Sequence, residues 1–483
     1  MNRKSIWNHK KAGMIGCAFM LAAIPFSAGC SGEDDGELVL RVANWEEYMD
    51  EGAWDETMAI EFSDGTVLCP EKSLVEDFED WYFETYGKRV RVEYSTFGTN
   101  EELYNQITIG DVYDLACPSE YMIMKMMREQ MLEPYSESFY DDDTEENYYA
   151  KGVSPYIASV YSDLSIEGEK LSKYAAGYMW GTLGIVYNPE EVSSEEASTW
   201  KILLNEKFAK QITVKDSVRD AFFAGVSISR YDELTDEEFL NAEDYAQQMY
   251  DTLNATDAET VDAVEEILSA IKRNVYSFET DSGKADLVTG KVVANQQWSG
   301  DAVFTMDQAE GDGVMLCYSA PEESTNLWFD GWVMLRAGIG QDAEKKQAAQ
   351  AFVNFISKPE NAVRNMNYIG YTSVISGGDS AKVLDYVNRC YEADPEETDE
   401  EDLVEYDISY FFGDKEAVVV AREDQTRRQL FAQYPPEEVM KRSVIMACFD
   451  KEGNERINRM WTNVRCFDLQ AWWNDLTGST GAR

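Results

Sequence analysis

Histidine is almost absent from this chain of 483 residues, in which His9 is the single example. Imidazole is the usual base of Ser-His-Asp and Cys-His triads and a common zinc ligand, so such sites are disfavoured. His9 also lies in a segment that we expect to be removed on export. The eight cysteines form no CxxC or similar metal-binding spacing. We therefore expect no metal and no cofactor.

Basic residues are scarce. The 42 lysines and arginines face 91 aspartates and glutamates, a net charge of −49. Such a charge repels nucleic acid and anionic lipid headgroups and attracts polycations. Nucleic acid is thus excluded as a partner, and most of the acids are expected to form a solvated surface. The length and the 44% hydrophobic content favour two or three globular domains.

One long apolar run stands at the amino terminus, from Ala12 to Phe26, after a basic segment and before Ser27-Ala28-Gly29-Cys30. This run is too short for a membrane span, and the order of basic, apolar and small residues predicts a signal peptide over residues 1–29. Small residues directly before a cysteine resemble the lipobox of bacterial lipoproteins, which implies lipidation of Cys30. The alternative is ordinary cleavage, with Cys30 an incidental thiol. Residues 30–37 are then predicted to form an acidic tether.

Aromatic residues next to acids occur in several patches. They are Asn44-Trp45-Glu46-Glu47-Tyr48, Tyr113-Asp114 with Pro118-Ser119-Glu120-Tyr121, Arg219-Asp220, Trp298-Ser299-Gly300-Asp301 and Trp328-Phe329-Asp330. Aromatic faces attract a positive charge, and carboxylates neutralise it in a water-poor slot. The patches therefore favour an elongated organic cation as the ligand.

The first part of the chain alternates between strand and helix patterns. The predicted elements are Leu38 to Asn44 (strand), Leu74 to Tyr86 (helix, capped by Ser73), Lys88 to Tyr94 (strand), Glu101 to Ile109 (helix) and Tyr113 to Cys117 (strand). This order predicts a mostly parallel sheet with ligand contacts at the strand ends.

A second α/β unit is predicted in the middle of the chain, followed by later helices. The elements are a strand pair over Tyr174 to Tyr187, a strand from Ile212 to Val214, a helix from near Asp216, acidic helices over Thr235 to Lys272, strands over Lys291 to Gln297 and Asn326 to Leu335, a helix from Asp342 to Ser357, and a carboxy-terminal helix from Asn454 to Trp473. The acidic stretch from Asp394 to Asp407 is predicted to be a solvated loop or a short surface helix.

Several motifs, in order along the chain, resemble the spermidine/putrescine-binding proteins of ABC importers. They are Asn44-Trp45-Glu46-Glu47-Tyr48, Tyr94-Ser95-Thr96-Phe97 with Asn100-Glu101, Tyr113-Asp114-Leu115, Pro118-Ser119-Glu120-Tyr121, Trp180-Gly181, Ala351-Phe352-Val353-Asn354-Phe355-Ile356 with Lys358-Pro359, and Ile369-Gly370-Tyr371. The resemblance covers most of Leu38 to Arg465.

The resemblance implies an α/β, type II periplasmic-binding fold, with two lobes of mixed, mostly parallel sheets and a ligand cleft between them. By analogy, residues 38–181 and 330–379 form lobe 1, and residues 182–329 and 380–483 form lobe 2. The implied function is capture of spermidine or putrescine outside the cytoplasm, by a protein anchored through Cys30 to the outer face of the membrane. The implied partner is an ABC permease, and no enzyme activity is implied.

The resemblance also implies the residues that bind the ligand. They are Trp45, Tyr48, Ser119, Tyr121, Trp298, Trp328, Asp330 and Tyr371. Alternation places Trp328 and Asp330 on one face of a strand, where the acid is expected to pair with an amine. Glu120, between two of the matched positions, is either an additional acidic ligand or a solvent-facing side chain.

One loop departs from the family pattern. Where the enteric spermidine binder has an acid on each side of an Ala-Arg dipeptide, this chain reads Asp216-Ser217-Val218-Arg219-Asp220. Ser217 and Asp220 are candidate ligand contacts at these positions. Their spacing is also that of a capping box, so helix capping is the alternative role.

Two other functions remain open from the sequence. Tryptophan-rich clefts also bind sugars, and a surface glycosidase would work through a carboxylate pair. A binding protein for another organic cation, such as an opine, would share the aromatic and acidic site. Acids at amine-contact positions and the lack of a recognisable catalytic motif favour cation binding.

Overall fold

The computed structural model describes residues 37–144, 146–280, 282–396, 398–413 and 416–466. The predicted signal peptide and Cys30 lie outside these residues. The strands are β1 Leu38–Trp45, β2 Ile60–Glu61, β3 Val67–Leu68, β4 Val90–Phe97, β5 Leu115–Ala116, β6 Leu132–Glu133, β7 Ser165–Ile166, β8 Glu169–Lys170, β9 Ala175–Tyr187, β10 Ile212–Lys215, β11 Ser277–Glu279, β12 Ala294–Trp298, β13 Cys317–Ser319, β14 Thr325–Leu335, β15 Thr372–Ser373, β16 Leu403–Asp407, β17 Val418–Arg422 and β18 Ser443–Val444.

Helices connect most of these strands. The α-helices are α1 Leu74–Tyr86, α2 Asn100–Ile109, α3 Glu120–Arg128, α4 Tyr148–Gly152, α5 Pro155–Asp163, α6 Ser194–Ala197, α7 Val218–Ser229, α8 Tyr231–Leu234, α9 Glu237–Leu240, α10 Tyr245–Leu253, α11 Ala258–Asn274, α12 Ser282–Val288, α13 Ser299–Gly311, α14 Arg336–Ile339, α15 Ala343–Ile356, α16 Pro359–Ile369, α17 Lys382–Tyr391, α18 Ser409–Phe412, α19 Gln429–Gln433, α20 Glu437–Lys441 and α21 Lys451–Arg465. Short 3-10 helices span Glu137–Tyr140, Leu171–Lys173, Trp200–Leu204, Glu206–Phe208, Glu400–Asp402 and Glu423–Arg427. Within the described ranges, no helix is both long enough and apolar enough to cross a membrane.

Local sequence signals determine helix α1. Ser73 accepts a hydrogen bond from the backbone of Glu76, and the Glu76 side chain accepts one from the backbone of Ser73, which completes a capping box. The helix ends at Gly87, whose φ of 67° is the left-handed conformation that glycine adopts without a Cβ clash. The predicted helix and its cap are therefore confirmed.

The chain divides into two compact units. Among the described residues, the first comprises everything up to Gly184 together with Trp298–Ser319 and Leu327–Lys441, and the second comprises Ile185–Gln297, Ala320–Asn326 and the residues from Arg442 onward. The lobe boundaries implied by analogy, residues 38–181 with 330–379 and residues 182–329 with 380–483, stay a prediction.

The first unit is built on a mixed sheet. Strand β1 pairs in parallel with β4 over its whole length and with β5 at Val42 and Ala43. Strand β14 then pairs antiparallel with β5 on one side and with β9 on the other. Leu40 and Val42 of β1 are fully buried. The predicted β-α-β-α-β order is thus observed, and the antiparallel strand β14 makes the sheet mixed.

Strand β9 corrects one prediction. Residues 174–187 were expected to form a strand pair because glycines punctuate the apolar run, but they form one continuous strand, Ala175–Tyr187, with every residue buried. The glycines allow neighbours to approach closely rather than turning the chain. A Cβ on Gly181 would lie 2.7 Å from the Trp328 ring, and one on Gly184 would lie 2.5 Å from the Tyr318 ring.

The second unit contains three strands that pair in parallel. Strand β10 pairs in parallel with β11 and with β12. Helix α11 begins after its cap residue Asp257 and buries Val261, Val264, Leu268 and Ile271. These positions recur at the spacing of one helical face, which explains why the helix packs along that stripe.

The acidic segments differ from their predictions in detail. Residues 235–272 form three helices, α9, α10 and most of α11, separated by short breaks. Residues 403–407, expected to be a loop or a short helix, form strand β16, which pairs antiparallel with β17. Tyr406 is buried in this hairpin. Alternation of one buried ring with exposed acids is a strand pattern that the high charge obscured.

Candidate ligand-binding site

The site in the first unit centres on Asp330, a residue of strand β14 that is only 5% exposed. Its carboxylate accepts a hydrogen bond from the Tyr48 hydroxyl at 2.9 Å and another from the Ser119 hydroxyl at 2.7 Å. The pairing of β14 with β9 shifts register between Asp330 and Gly331, and Gly331 N donates to Pro118 O at 3.1 Å. This irregularity brings Asp330 beside Ser119, with which it forms an isolated bridge.

The ionisation of Asp330 is strongly influenced by burial. Removal of the carboxylate from water raises its pKa to about 7, and the hydrogen bonds from Ser119 and Tyr48 lower the pKa in part. In the described part of the chain, no lysine or arginine forms an ion pair with Asp330. A buried carboxylate with two hydroxyl donors and no basic partner favours a cationic ligand.

Tyr48 is held in place through its backbone and its ring. The Tyr178 hydroxyl donates to Tyr48 O at 2.6 Å, and Asn44 Nδ2 donates to the same oxygen at 3.4 Å. The Tyr48 ring meets Tyr178 edge to face at 5.4 Å and Tyr371 at 5.2 Å. The hydroxyl that contacts Asp330 therefore belongs to a fixed ring.

The rings of Tyr48, Tyr371 and Trp328 form an aromatic wall. The Trp328 and Tyr371 ring centroids lie 5.6 Å apart. Trp328 is 8% exposed, and its indole Nε1 is buried without a hydrogen-bond partner among the described residues. A Cβ on Gly300 would lie 2.3 Å from the Tyr371 ring, so glycine is needed for this packing. Trp328 and Asp330 lie two residues apart on β14, which confirms the predicted strand.

The Tyr371 hydroxyl links the aromatic wall to a second acid. It donates to Asp301 Oδ1 at 3.0 Å, and Asp301 is 8% exposed in the first turn of α13. Sequence reasoning placed Asp301 in an aromatic-and-acid patch but not among the site residues. Trp298 precedes α13 directly and is half-buried.

Three other predicted residues have different immediate neighbours. Trp45 packs against Phe97 at 4.8 Å. Glu120 is 1% exposed and accepts a hydrogen bond from Phe329 N at 3.2 Å, so its predicted alternative of facing solvent is wrong. The Tyr121 hydroxyl donates to Glu101 Oε1 at 3.1 Å. Contact of these three side chains with a ligand stays a prediction.

Ser217 and Asp220 belong to the second unit. Ser217 is the N-cap of α7 and accepts a hydrogen bond from Asp220 N at 3.4 Å. The alternative capping role is therefore observed for Ser217, and Asp220 lies buried in the first turn of that helix. Their ligand roles stay predictions.

The patch at Tyr113-Asp114 has a structural function. Asp114 is fully buried, pairs with Lys345 Nζ at 3.0 Å and accepts a hydrogen bond from Arg41 N at 2.7 Å. This acid is neutralised within the first unit, in contrast to Asp330. An acid next to an aromatic residue in the sequence is thus paired with a lysine at Asp114 and, among the residues that the structure describes, has no such partner at Asp330.

Residues 73–387, more than half of the chain, match the family model described as bacterial extracellular solute-binding protein. The chain belongs to this family. Members of this family bind solutes for transport, so the predicted absence of enzyme activity follows from membership and the glycosidase alternative is set aside. The family also agrees with the predicted location outside the cytoplasm.

Individual relatives are about a quarter identical to this chain. The spermidine/putrescine-binding periplasmic protein of Salmonella typhimurium is 25% identical over 284 residues, which cover 58% of this chain and 70% of the relative. The protein with the same description from Escherichia coli is 24% identical over 319 residues, covering 66% and 78%.

Solved structures show the same fold. The substrate-binding protein of a spermidine/putrescine ABC transporter from Streptococcus pneumoniae has a TM-score of 0.56 and 24% identity, covering 89% of this chain and 98% of that one. A lipoprotein of Treponema pallidum has a TM-score of 0.56 and 16% identity, covering 88% and 99%. The predicted α/β, type II periplasmic-binding class is confirmed.

Proposed function

We propose that this solute-binding protein captures a polyamine, spermidine or putrescine, and delivers it to an ABC permease. The observation that carries the proposal is Asp330: a buried carboxylate that accepts two hydroxyl hydrogen bonds and has no basic partner among the described residues. An ammonium group is the natural counter-ion for such a carboxylate, because it supplies both charge and hydrogen-bond donors.

The aromatic wall supports an organic rather than an inorganic cation. Rings of Tyr48, Tyr371 and Trp328 lie in series beside the acid. Aromatic faces attract ammonium groups, and the same rings bury the methylene segments of a polyamine. In the described residues, no cluster of acids, histidines or cysteines has the geometry to hold a metal ion.

The relatives from Salmonella typhimurium and Escherichia coli are described as spermidine/putrescine-binding proteins. At 24–25% identity this description supports the ligand class. The shared motifs around Tyr48, Ser119 and Asp330 add weight, because they coincide with the side chains that meet in the first unit.

The experiment is calorimetric titration of the mature protein with putrescine, spermidine, an opine and a neutral disaccharide. We expect binding of at least one of the two polyamines that weakens as salt is added, because charge pairing is screened. Tighter binding of the opine would replace polyamine with another organic cation. Binding of the disaccharide alone would overturn the proposal.

We further propose that the mature protein is anchored through a lipid on Cys30. The support is the basic, apolar and small-residue order before that cysteine. Cys30→Ser should move the protein from the membrane fraction to the soluble extracytoplasmic fraction while leaving ligand affinity unchanged. Retention of the variant at the membrane would contradict the lipid anchor.

A further inference from the structure

Asn100 lies at the start of helix α2, is 4% exposed and contacts Ser119 of the candidate site. Its side chain makes two reciprocal contacts with Ser119. Ser119 N donates to Asn100 Oδ1 at 3.0 Å, and Asn100 Nδ2 donates to Ser119 Oγ at 3.0 Å. A backbone N–H can only donate, so the Asn100 oxygen must face it and the Asn100 amide nitrogen must face the hydroxyl.

This orientation determines where the Ser119 proton points. A serine hydroxyl has one proton to donate, and its oxygen already accepts from Asn100. The proton is therefore directed to Asp330 Oδ1, 2.7 Å away. Donation runs in one direction, from Asn100 through Ser119 to Asp330.

The start of helix α3 provides an independent observation. Ser119 occupies the N-cap position of α3, where a serine hydroxyl usually accepts a hydrogen bond from the helix backbone. Here the Ser119 side chain makes no capping hydrogen bond. Its hydroxyl is committed to Asn100 and Asp330 instead of to the helix.

We propose that Asn100 is a positioning residue for cation binding: it orients the Ser119 hydroxyl toward Asp330 and so favours the ionised carboxylate that the ligand needs. Asn100 acts without contacting the ligand. The inference rests on the proposed function for its effect on affinity, whereas its effect on the ionisation of Asp330 is a property of the ligand-free protein.

Among the groups around Asp330, the donated hydroxyl hydrogen bonds are the main stabilisation of its ionised form. Titratable side chains facing it come from several elements: Tyr48 after β1, Cys117 after β5, Tyr161 on α5 and Tyr178 on β9. Burial raises the pKa of each of these four groups, which keeps them neutral near pH 7. The Glu120 carboxylate accepts from Phe329 N, next to Asp330 in the chain.

The test reverses the direction of donation with Asn100→Asp. An aspartate there still accepts from Ser119 N and also accepts the Ser119 hydroxyl proton, which Asp330 then loses. Carbon-13 NMR of the ligand-free protein, with the Asp330 carboxyl assigned by Asp330→Asn, should show its titration midpoint higher by about one pH unit. At pH values below that midpoint, the putrescine affinity of the variant should be about tenfold lower than that of the wild type. Asn105→Asp, an exposed change of the same charge on α2, is the control.

Repeating Asn100→Asp in a Ser119→Ala background separates orientation from simple charge repulsion. If Asn100 acts through the hydroxyl, its substitution shifts the Asp330 midpoint little once that hydroxyl is gone. An equal shift in both backgrounds would overturn the inference. Should Asn100→Asp fail to fold, Asn100→Ala is expected to raise the midpoint by a smaller amount, and no shift would also overturn it. A midpoint that shifts in a protein that binds no polyamine would contradict only the proposed function.

Discussion

The Tyr48 hydroxyl donates to Asp330 Oδ2 at 2.9 Å although the two residues lie 282 positions apart in the chain. Tyr48 follows the end of strand β1, and Asp330 lies where the pairing of β14 with β9 shifts register. The contact joins two segments that the family resemblance associated only by analogy.

The stability of the ligand-free protein should report the burial of Asp330. Its folded pKa of about 7 exceeds the ordinary value near 4, so between these pH values the folded state binds a proton that the unfolded state does not. The stability that comes from keeping the Asp330 carboxyl protonated in the folded state is fully present below about pH 4 and is lost as pH rises through about 7. Asp330→Asn should therefore be more stable than the wild type near pH 8, by at least about 1 kcal/mol, with a smaller difference near pH 4. Urea denaturation at both pH values measures this, and equal stability near pH 8 would contradict the raised pKa.

The same substitution should weaken ligand binding. Asp330→Asn removes the charge that pairs with the ammonium group, and we expect a loss of about 2 kcal/mol or more in polyamine binding. Asp111→Asn, an exposed acid of the same unit, controls for net charge. Unchanged affinity in a folded Asp330→Asn protein would remove Asp330 from the site.

Gly300 offers a test of the aromatic wall. In Gly300→Ala the added methyl group meets the Tyr371 ring, which must move because the clash distance is 2.3 Å. We expect polyamine affinity to fall about tenfold or more, equivalent to about 1.4 kcal/mol. Gly311→Ala, at the other end of α13 with nothing within 4 Å, is the matched control and should leave affinity unchanged. Equal affinities for the two variants would show that the Tyr371 ring does not contact the ligand.

Ser217 has an observed cap and a predicted ligand role, which two substitutions separate. Loss of the cap in Ser217→Ala should lower the free energy of unfolding by about 1 kcal/mol, whereas Ser217→Asp should leave it nearly unchanged, because Asp caps a helix as well as Ser. Denaturant titration checks both expectations. If the alanine variant keeps wild-type affinity for both polyamines, Ser217 is a cap alone.

Short-range signals predicted much of the fold. The capping box at Ser73 and Glu76 places the start of α1 because both partners lie within one helical turn. Strand β9 was mistaken for a pair because the approach of Trp328 to Gly181, which explains the glycine, depends on a residue far away in sequence. Buried strands also lack the alternation by which exposed ones are recognised.

The candidate site was only partly predictable for the same reason. Family motifs identified Tyr48, Ser119 and Asp330, which the structure brings together. The contacts of Asn100 with Ser119 and of Asp301 with Tyr371 depend on side-chain geometry that no local sequence pattern encodes. Asn100 does stand in one of the matched motifs, so a signal was present without the contact that explains it.

The most direct test of cation capture by Asp330 is the number of protons released when a polyamine binds, measured by calorimetry in buffers of different ionisation enthalpy. The ligand-free carboxyl, with a pKa of about 7, is mostly protonated near pH 6, and pairing with an ammonium group requires its charged form. We predict release of about one proton per ligand near pH 6, falling toward zero by about pH 9, with affinity rising about tenfold per pH unit below 7. Binding that releases no proton near pH 6 would contradict the pairing of the ligand with Asp330.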